Sequence, residues 1–114
     1  MYDLPADFDL KQFRGRSLEL VCFAAYKVDL HLSGGYLIGI EDSISLDSED
    51  QVKLPESIML LYPLINQDIN DVTRSGSGML SFKFEGGSVL HIHNSVKQYE
   101  CYSISLNGKT LVIV

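Results

Sequence analysis

The chain has 114 residues, 46% of them hydrophobic and 21% charged, which is enough for one packed domain and too few for two ordinary ones. Fifteen Asp and Glu against nine Lys and Arg give a formal net charge of −6, the wrong sign for a surface that neutralises phosphates, so we expect no nucleic-acid partner. The longest apolar run, Leu20 to Tyr26, is far shorter than the roughly 20 residues of a membrane span. Because the N-terminus is acidic where a secretion signal is basic and then apolar, we expect a cytoplasmic protein that does not bind membranes.

An alternation of apolar and polar residues predicts that most of the chain is β. Val28, Leu30 and Leu32 alternate with polar neighbours, and residues 80–84 repeat the pattern, which is the period of half-buried strands. About seven strands are predicted, over residues 18–25, 28–32, 36–46, 80–84, 89–93, 99–106 and 110–114. The expected fold class is mainly β, an antiparallel sandwich or half-barrel with one short helix.

The sequence contains a copy of itself. Residues 28–43 align without gaps on residues 80–95 at an offset of 52, and residues 13–21 match residues 64–72 more loosely at an offset of 51. We therefore predict two repeats, about 13–46 and 64–96, each made of one strand and then a hairpin. With a C-terminal hairpin at 99–114, they form a single predicted β-rich domain, 1–114.

Glycine pairs mark the turn of the hairpin in each repeat. A two-residue turn would set Phe82 opposite His91 and mix the apolar and polar faces, which the pattern forbids. A three-residue loop with Gly87 in the left-handed conformation pairs Phe82 with Leu90 instead, and Gly35 takes the same role in the first repeat. These glycines are therefore predicted to serve the turns, not to hold a phosphate.

Two further turns follow from local signals. Asn107-Gly108 is a strong two-residue turn signal and predicts pairs of Ile104 with Leu111 and of Tyr102 with Ile113. Between the repeats, Pro55 to Ser57 open a predicted short helix through Leu61, and Pro63 is expected to stop its continuation. The acidic segment 42–55 is predicted to be the longest loop.

No arrangement typical of an enzyme occurs in the sequence. It has neither a G-x-S-x-G nucleophile elbow nor a papain-like cysteine context, and the S-G-S-G stretch at 75–78 is typical of a flexible loop. Cys22 and Cys101 are expected to be free thiols, because a reducing cytoplasm and an adequate core make a disulfide unnecessary. We expect no enzymatic activity and no cofactor.

His91 and His93 are two residues apart on a predicted strand, so both imidazoles point to one face, a geometry that metal sites use. A third ligand is missing, since the repeat places His31 level with Lys83 and not beside the pair. Two readings stay open. One is an exposed polar face without a metal, and the other is a metal or small-ligand binding module that uses His91 and His93.

Five carboxylates fall within ten residues that contain no basic residue: Glu41, Asp42, Asp47, Glu49 and Asp50. One interpretation is a solvated loop that keeps the protein soluble, with Glu41 paired across its hairpin with Lys27. The other is a docking surface for a strongly basic partner, whose association the concentrated negative potential accelerates and orients.

Glu100 has two possible environments. The register that turns Tyr102 and Ile104 inward puts Glu100 on the same face, and a buried carboxylate needs a partner. It either binds Arg14, Arg16 or backbone amides, or lies at the strand end and reaches water.

The segment GMLSFKFEGGSVLHIH, followed by QYECYSI, contains a glycine, an alternating strand, an acidic-Gly turn, a returning strand and a Tyr-Glu pair. This order resembles a family of small bacterial β-rich domains of unknown function that end the pattern with Tyr-Glu-x-Trp. Tyr102 stands where that family has Trp, the turn is Glu-Gly-Gly and not Asp-Gly, and the likeness is fainter upstream to about residue 10. The matching positions are Gly78, Leu80, Phe82, Phe84, Glu85, Gly86, Leu90, Ile92, Tyr99 and Glu100.

Domains of this kind are similar to immunity proteins encoded beside polymorphic toxins, including those of contact-dependent growth inhibition systems. The resemblance implies a protein that binds one cognate toxin domain, 1:1, and blocks its active site. Nuclease toxins carry positive charge because they bind phosphates, and an acidic protein can occupy the same basic groove. Under this hypothesis the acidic loop supplies the partner-binding residues.

Overall fold

Two antiparallel sheets form the protein in a computed structural model that describes residues 3–48, 58–76, 78–95 and 100–114. The five-stranded sheet has the order β1-β2-β3-β8-β9 and the four-stranded sheet the order β4-β7-β6-β5. Their inner faces share one apolar core, so the prediction of a mainly β, antiparallel fold is confirmed. The strands are β1 Leu18–Ala24, β2 Lys27–Leu32, β3 Tyr36–Ile40, β4 Ile44–Leu46, β5 Ile69–Ser75, β6 Met79–Phe84, β7 Val89–Ile92, β8 Tyr102–Leu106 and β9 Lys109–Ile113.

The described residues contain nine strands where the sequence predicted about seven. The predicted strand 36–46 is wrong as a single element, because the chain leaves the five-stranded sheet after Ile40 and continues as β4 in the other sheet. Ser43, Ile44 and Ser45 are all buried at this crossing, so the alternation of the sequence is lost there. β5 is the strand that opens the second repeat.

Residues at an offset of 51 occupy equivalent places at the start of each half. A 3₁₀ turn precedes each first strand, η1 at Leu10–Phe13 and η2 at Tyr62–Leu64. Gly15 and Asn66, with φ of 80° and 73°, then take the left-handed conformation, and β1 and β5 each carry a bulge after their first residue. The two halves are therefore related by an approximate twofold axis.

The predicted registers of the two central hairpins are confirmed. Phe82 lies opposite Leu90, and Leu30 lies opposite Ile38. Gly35 and Gly87 have φ of 88° and 98°, the left-handed conformation that the three-residue loops require. Apolar side chains consequently face the core from both strands of each hairpin.

The predicted register of the C-terminal hairpin is wrong. A register shift follows the Asn107-Gly108 turn, so that Ile104 lies opposite Val112 and not opposite Leu111, and Ile113 lies opposite Ser103. The extra residue turns Leu111 and Ile113 outward, each 40% exposed, and buries Val112 and Val114. The four residues 111–114 are all apolar, so the sequence contained no signal for choosing between the two faces.

The helical segments are short. The predicted helix forms as α1, Ile58–Leu61, while residues 55–57, where it was expected to begin, lie outside the described residues. Pro63 does not stop the helical path, because it occupies the first turn of η2, where its missing N–H is not needed. Within the described ranges no helix has the length and apolar character required to cross a membrane.

Phe13, which the sequence did not single out, is among the fully buried residues of the core. Its ring is fully buried, with centroids 5.3 Å from Tyr36 and 5.7 Å from Phe82 in edge-to-face arrangements. η1 thereby closes one end of the core between the two sheets. Tyr102 is also buried and donates its hydroxyl proton to the Gly78 carbonyl oxygen at 2.6 Å, and burial raises the pKa of this hydroxyl.

Candidate functional site

Asp42 and Asp47, two of the five carboxylates in the acidic loop at residues 41–50, bind residues of the second half of the molecule. The Asp42 Oδ2 atom accepts hydrogen bonds from the backbone nitrogen and the hydroxyl of Ser95, at 2.6 and 3.0 Å. Asp47, with φ of 66°, accepts one from the Val89 backbone nitrogen at 3.0 Å. These bonds connect both ends of β4 to the second half of the molecule, so Asp42 and Asp47 have structural contacts in addition to their charge.

Of the other three carboxylates of the acidic loop, Glu41 lies in the described part of the structure. Glu49 and Asp50 lie outside the described residues. Glu41 is exposed and follows directly after β3, where its backbone nitrogen donates to the Cys101 carbonyl oxygen at 2.7 Å. This bond brings Glu41 beside Glu100, the residue before Cys101.

Three carboxylates from separate segments gather at this end of the five-stranded sheet, and we call Asp29, Glu41 and Glu100 the acidic corner. Although Glu41 is exposed, partial desolvation of its carboxyl group raises its pKa, and the negative charge of Glu100, a side-chain hydrogen bond with Glu100 and the charge of Asp29 raise it further. Lys27 acts in the opposite direction. Among the described residues, the corner therefore holds more negative charge than Lys27 offsets.

Glu100 is exposed and lies before β8, so of its two predicted environments the one in contact with water is confirmed. Its neighbour is another carboxyl group and not an arginine. Glu41 and Glu100 are far apart in the sequence, and the pairing of β3 with β8 brings them together. That pairing has no signature in the hydrophobic pattern, so the acidic corner was not predictable.

Asp29 lies in the outer face of the same sheet, opposite Gly39 on β3 and Cys22 on β1. The Lys27 Nζ atom is 3.7 Å from Asp29 Oδ1, and that oxygen accepts no hydrogen bond within the described part of the chain. Because Gly39 has no side chain, the Lys27 Cε and Asp29 Oδ1 atoms lie close to its backbone. A Cβ added at Gly39 would be 3.0 Å from Lys27 Cε and 3.2 Å from Asp29 Oδ1. The Asp29 carboxylate is thus only weakly neutralised.

His91 and His93 each bind a serine on a neighbouring strand. The His91 Nδ1 atom is 2.7 Å from Ser81 Oγ, and the His93 Nε2 atom is 2.9 Å from Ser45 Oγ. Their ring centroids are 6.4 Å apart, and no group of three or more His, Cys, Asp or Glu side chains within the described ranges could hold a metal ion. The first of these hydrogen bonds connects β7 to β6, and the second connects the residue that follows β7 to β4.

The Ser45–His93 pair was not anticipated from the sequence. Its atoms are close enough for a histidine to activate a serine nucleophile, but Ser45 is fully buried and His93 is 6% exposed. A substrate carbonyl has no access to such a hydroxyl. The geometry is that of a satisfied buried polar pair between two strands.

Comparisons with protein-family models, with curated proteins and with solved structures gave no match. The charges and contacts of the described residues therefore carry the functional argument.

Proposed function

We propose that this protein is an immunity protein that binds the toxin domain of a polymorphic toxin and blocks its active site, without performing chemistry itself. The observation that carries the proposal is the acidic corner, where the carboxylates of Asp29, Glu41 and Glu100 lie together at one end of the five-stranded sheet. A cation placed beside such a carboxylate cluster stabilises its charged form. A lysine or arginine from a partner supplies such a cation.

The sign of the charge selects the kind of partner. A nuclease-type toxin domain needs a basic groove to hold phosphates, and a protein with a net charge of −6 is attracted to such a groove over long range. Negative charge clustered at one end of a sheet also orients the encounter. The likeness of residues 78–102 to domains similar to immunity proteins supports the same function.

Binding by the acidic corner is tested with a charge-neutral double variant, E41Q/E100Q. The probe is the toxin domain that the proposal requires, sought as the C-terminal domain of an exported protein encoded beside this one and made with an inactivated catalytic residue. We expect the double variant to associate about five- to tenfold more slowly at low ionic strength, and the difference to shrink at high salt because exposed charges are screened.

The matched control is D68N/E85Q, which also removes two negative charges. Asp68 and Glu85 are exposed and lie at the end of the sheets opposite the acidic corner, where the Glu85 backbone nitrogen donates to the Asp68 carbonyl oxygen at 2.9 Å. The control should associate nearly as fast as the wild type. Equal slowing by both variants would show that total charge matters and the acidic corner does not.

A further inference from the structure

β1 is an edge strand whose one charged residue, Glu19, and whose bulge both lie at its beginning, so that the rest of the strand has neither. Residues 20–25 contain no charge and no proline, and β1 is the terminal strand of the five-stranded sheet. Its outer edge is bonded at Leu18, which exchanges hydrogen bonds with Asn66 and Gln67. Leu20 is 51% and Phe23 38% exposed. Soluble proteins normally protect such an edge with charges, prolines or bulges.

An apolar groove runs along the inner side of this edge. Val21 and Phe23 of β1 and Leu61, Tyr62 and Ile65 beside η2 line it, and we call it the β1 groove. Its volume is about 190 Å³, and a cavity of about 150 Å³ is enough for benzene. One large apolar side chain from a neighbouring strand would therefore fill it.

The approximate twofold axis provides a comparison within the molecule. At an offset of 51, the counterpart of β1 is β5, and the counterparts of Leu20 and Ile65 are Asp71 and Arg14. In the second half these two counterparts form an ion pair, with Arg14 Nη2 3.1 Å from Asp71 Oδ1. The equivalent positions on the β1 side are apolar: Leu20 is exposed on the outer face, and Ile65 lines the β1 groove.

Phe23 shows the same difference. Its counterpart on β5 is Arg74, which donates hydrogen bonds from Nη1 to the Pro5 carbonyl oxygen and from Nη2 to the Leu4 carbonyl oxygen, both at 2.9 Å. The N-terminal segment thus covers the β5 side. On the β1 side the equivalent residue, Phe23, binds no such segment within the described residues and lines the β1 groove.

We propose that the edge of β1 accepts a strand of the toxin domain, with an apolar side chain in the β1 groove and a lysine or arginine on the opposite face, next to Cys22 and Asp29. This inference rests on the proposed function and identifies the docking surface. A strand added to β1 gains main-chain hydrogen bonds for affinity, and its alternating side chains supply specificity.

Charge decides between a basic strand and a second copy of this chain. Glu19 is the one charged residue of β1, and Asp29 lies opposite Cys22 on the neighbouring strand with one carboxylate oxygen that accepts no hydrogen bond within the described ranges. A second copy would bring another Glu19 and another net charge of −6. Strands are spaced about 4.8 Å apart, so a long basic side chain on the added strand reaches across Cys22 towards Asp29.

The first test uses a synthetic octapeptide in which phenylalanine or valine alternates with arginine. We expect it to shift the amide resonances of residues 20–24 and to slow their hydrogen exchange. The same peptide with N-methylated backbone amides keeps its charges and side chains but cannot complete the ladder, so it should leave β1 unprotected. Shifts confined to other strands, no binding at millimolar peptide, or equal binding of the methylated peptide would overturn the proposal.

The matched variants are L20R on β1 and L111R on β9, the opposite edge of the same sheet. Both side chains are exposed, so both variants should fold. L20R should weaken peptide and toxin-domain binding at least about tenfold by repelling the basic strand, and L111R should leave both unchanged. Equal effects of the two variants would contradict the assignment to β1.

Two outcomes separate this inference from the proposed function. If the toxin domain binds and is inhibited but L20R binds it like the wild type, the strand-docking proposal fails and the proposed function stands. If the peptide docks on β1 but the toxin domain does not bind, the proposed function fails and the strand site stands. A concentration-dependent dimer of the chain alone, with β1 amides protected, would assign the edge to a second copy and overturn the proposal.

Discussion

Ser17 and Asp68, which are 51 positions apart in the sequence, pair with each other in an isolated antiparallel bridge. Because 51 is also the offset between the two repeats, each residue is the other's counterpart, and the approximate twofold axis passes through their bridge. Flanking hydrogen bonds repeat the relationship, since Leu18 donates to the Gln67 carbonyl oxygen at 3.1 Å and Ile69 to that of Arg16 at 2.8 Å. The two halves share a backbone framework and differ in what their edge strands expose.

Truncation of Phe82 should destabilise the protein strongly. Its ring is 2% exposed and packs against Phe13 at the junction of the two sheets. We expect Phe82→Ala to lower the free energy of unfolding by about 3–5 kcal/mol, through lost transfer free energy and a residual cavity. Urea denaturation measures the change. Tyr26→Ala is the control, and its 83% exposure predicts a change within about 0.5 kcal/mol.

Removing the charge of Glu41 should stabilise the protein at neutral pH. Its pKa is raised above the ordinary 4.5, first by partial desolvation and then by Glu100, so folding favours the protonated form and stability falls as pH rises from about 4.5 through the folded-state pKa. Glu41→Gln should therefore be more stable than the wild type at pH 7, and the difference should shrink towards pH 4. Denaturant unfolding across this range tests the sign.

Asp71 provides a control with the opposite sign. A hydrogen bond from Arg14 holds the pKa of Asp71 below its ordinary 3.8, so its contribution to stability is present at neutral pH and disappears as pH falls. Asp71→Asn should be less stable than the wild type at pH 7. A destabilising Glu41→Gln at that pH would contradict the description of the acidic corner.

Some residue pairings of this structure were predictable from the hydrophobic pattern of the sequence, and others were not. The Phe82–Leu90 pair was predictable because a slip by one residue would place His91 in the core. Residues 111–114 offered no such contrast, and the bulge in the C-terminal hairpin was missed. The proximity of Glu41 to Glu100 depends on the pairing of β3 with β8, strands that are distant in the chain, and local periodicity does not encode such pairing.

The remaining acidic residues of the loop should accelerate association with the toxin domain. Glu49 and Asp50 contribute two negative charges in a segment with no basic residue. We expect Glu49→Ser with Asp50→Ser, and further with Asp47→Ser, to slow association and flatten its dependence on salt. Stopped-flow kinetics from low to high ionic strength measures both effects. Unchanged kinetics would remove the acidic loop from the interface.

Metal analysis tests the alternative function. In the immunity account His91 and His93 bind Ser81 and Ser45, so the purified protein should contain no stoichiometric zinc, and added zinc should leave its thermal stability unchanged. A bound zinc ion that is lost in His93→Ala would favour a metal-binding module instead. His31→Ala, a histidine on the other sheet, is the control.

The most direct test is protection of cells. The proposal requires a toxin domain encoded beside this protein. Bacteria that produce that domain in its active form should stop growing, and co-production of this protein should restore growth through a 1:1 complex in which the toxin is inactive. E41Q/E100Q should protect less well than D68N/E85Q at matched protein levels. If the wild-type protein forms no complex with that domain and cells die at the same rate with and without it, the immunity function is wrong.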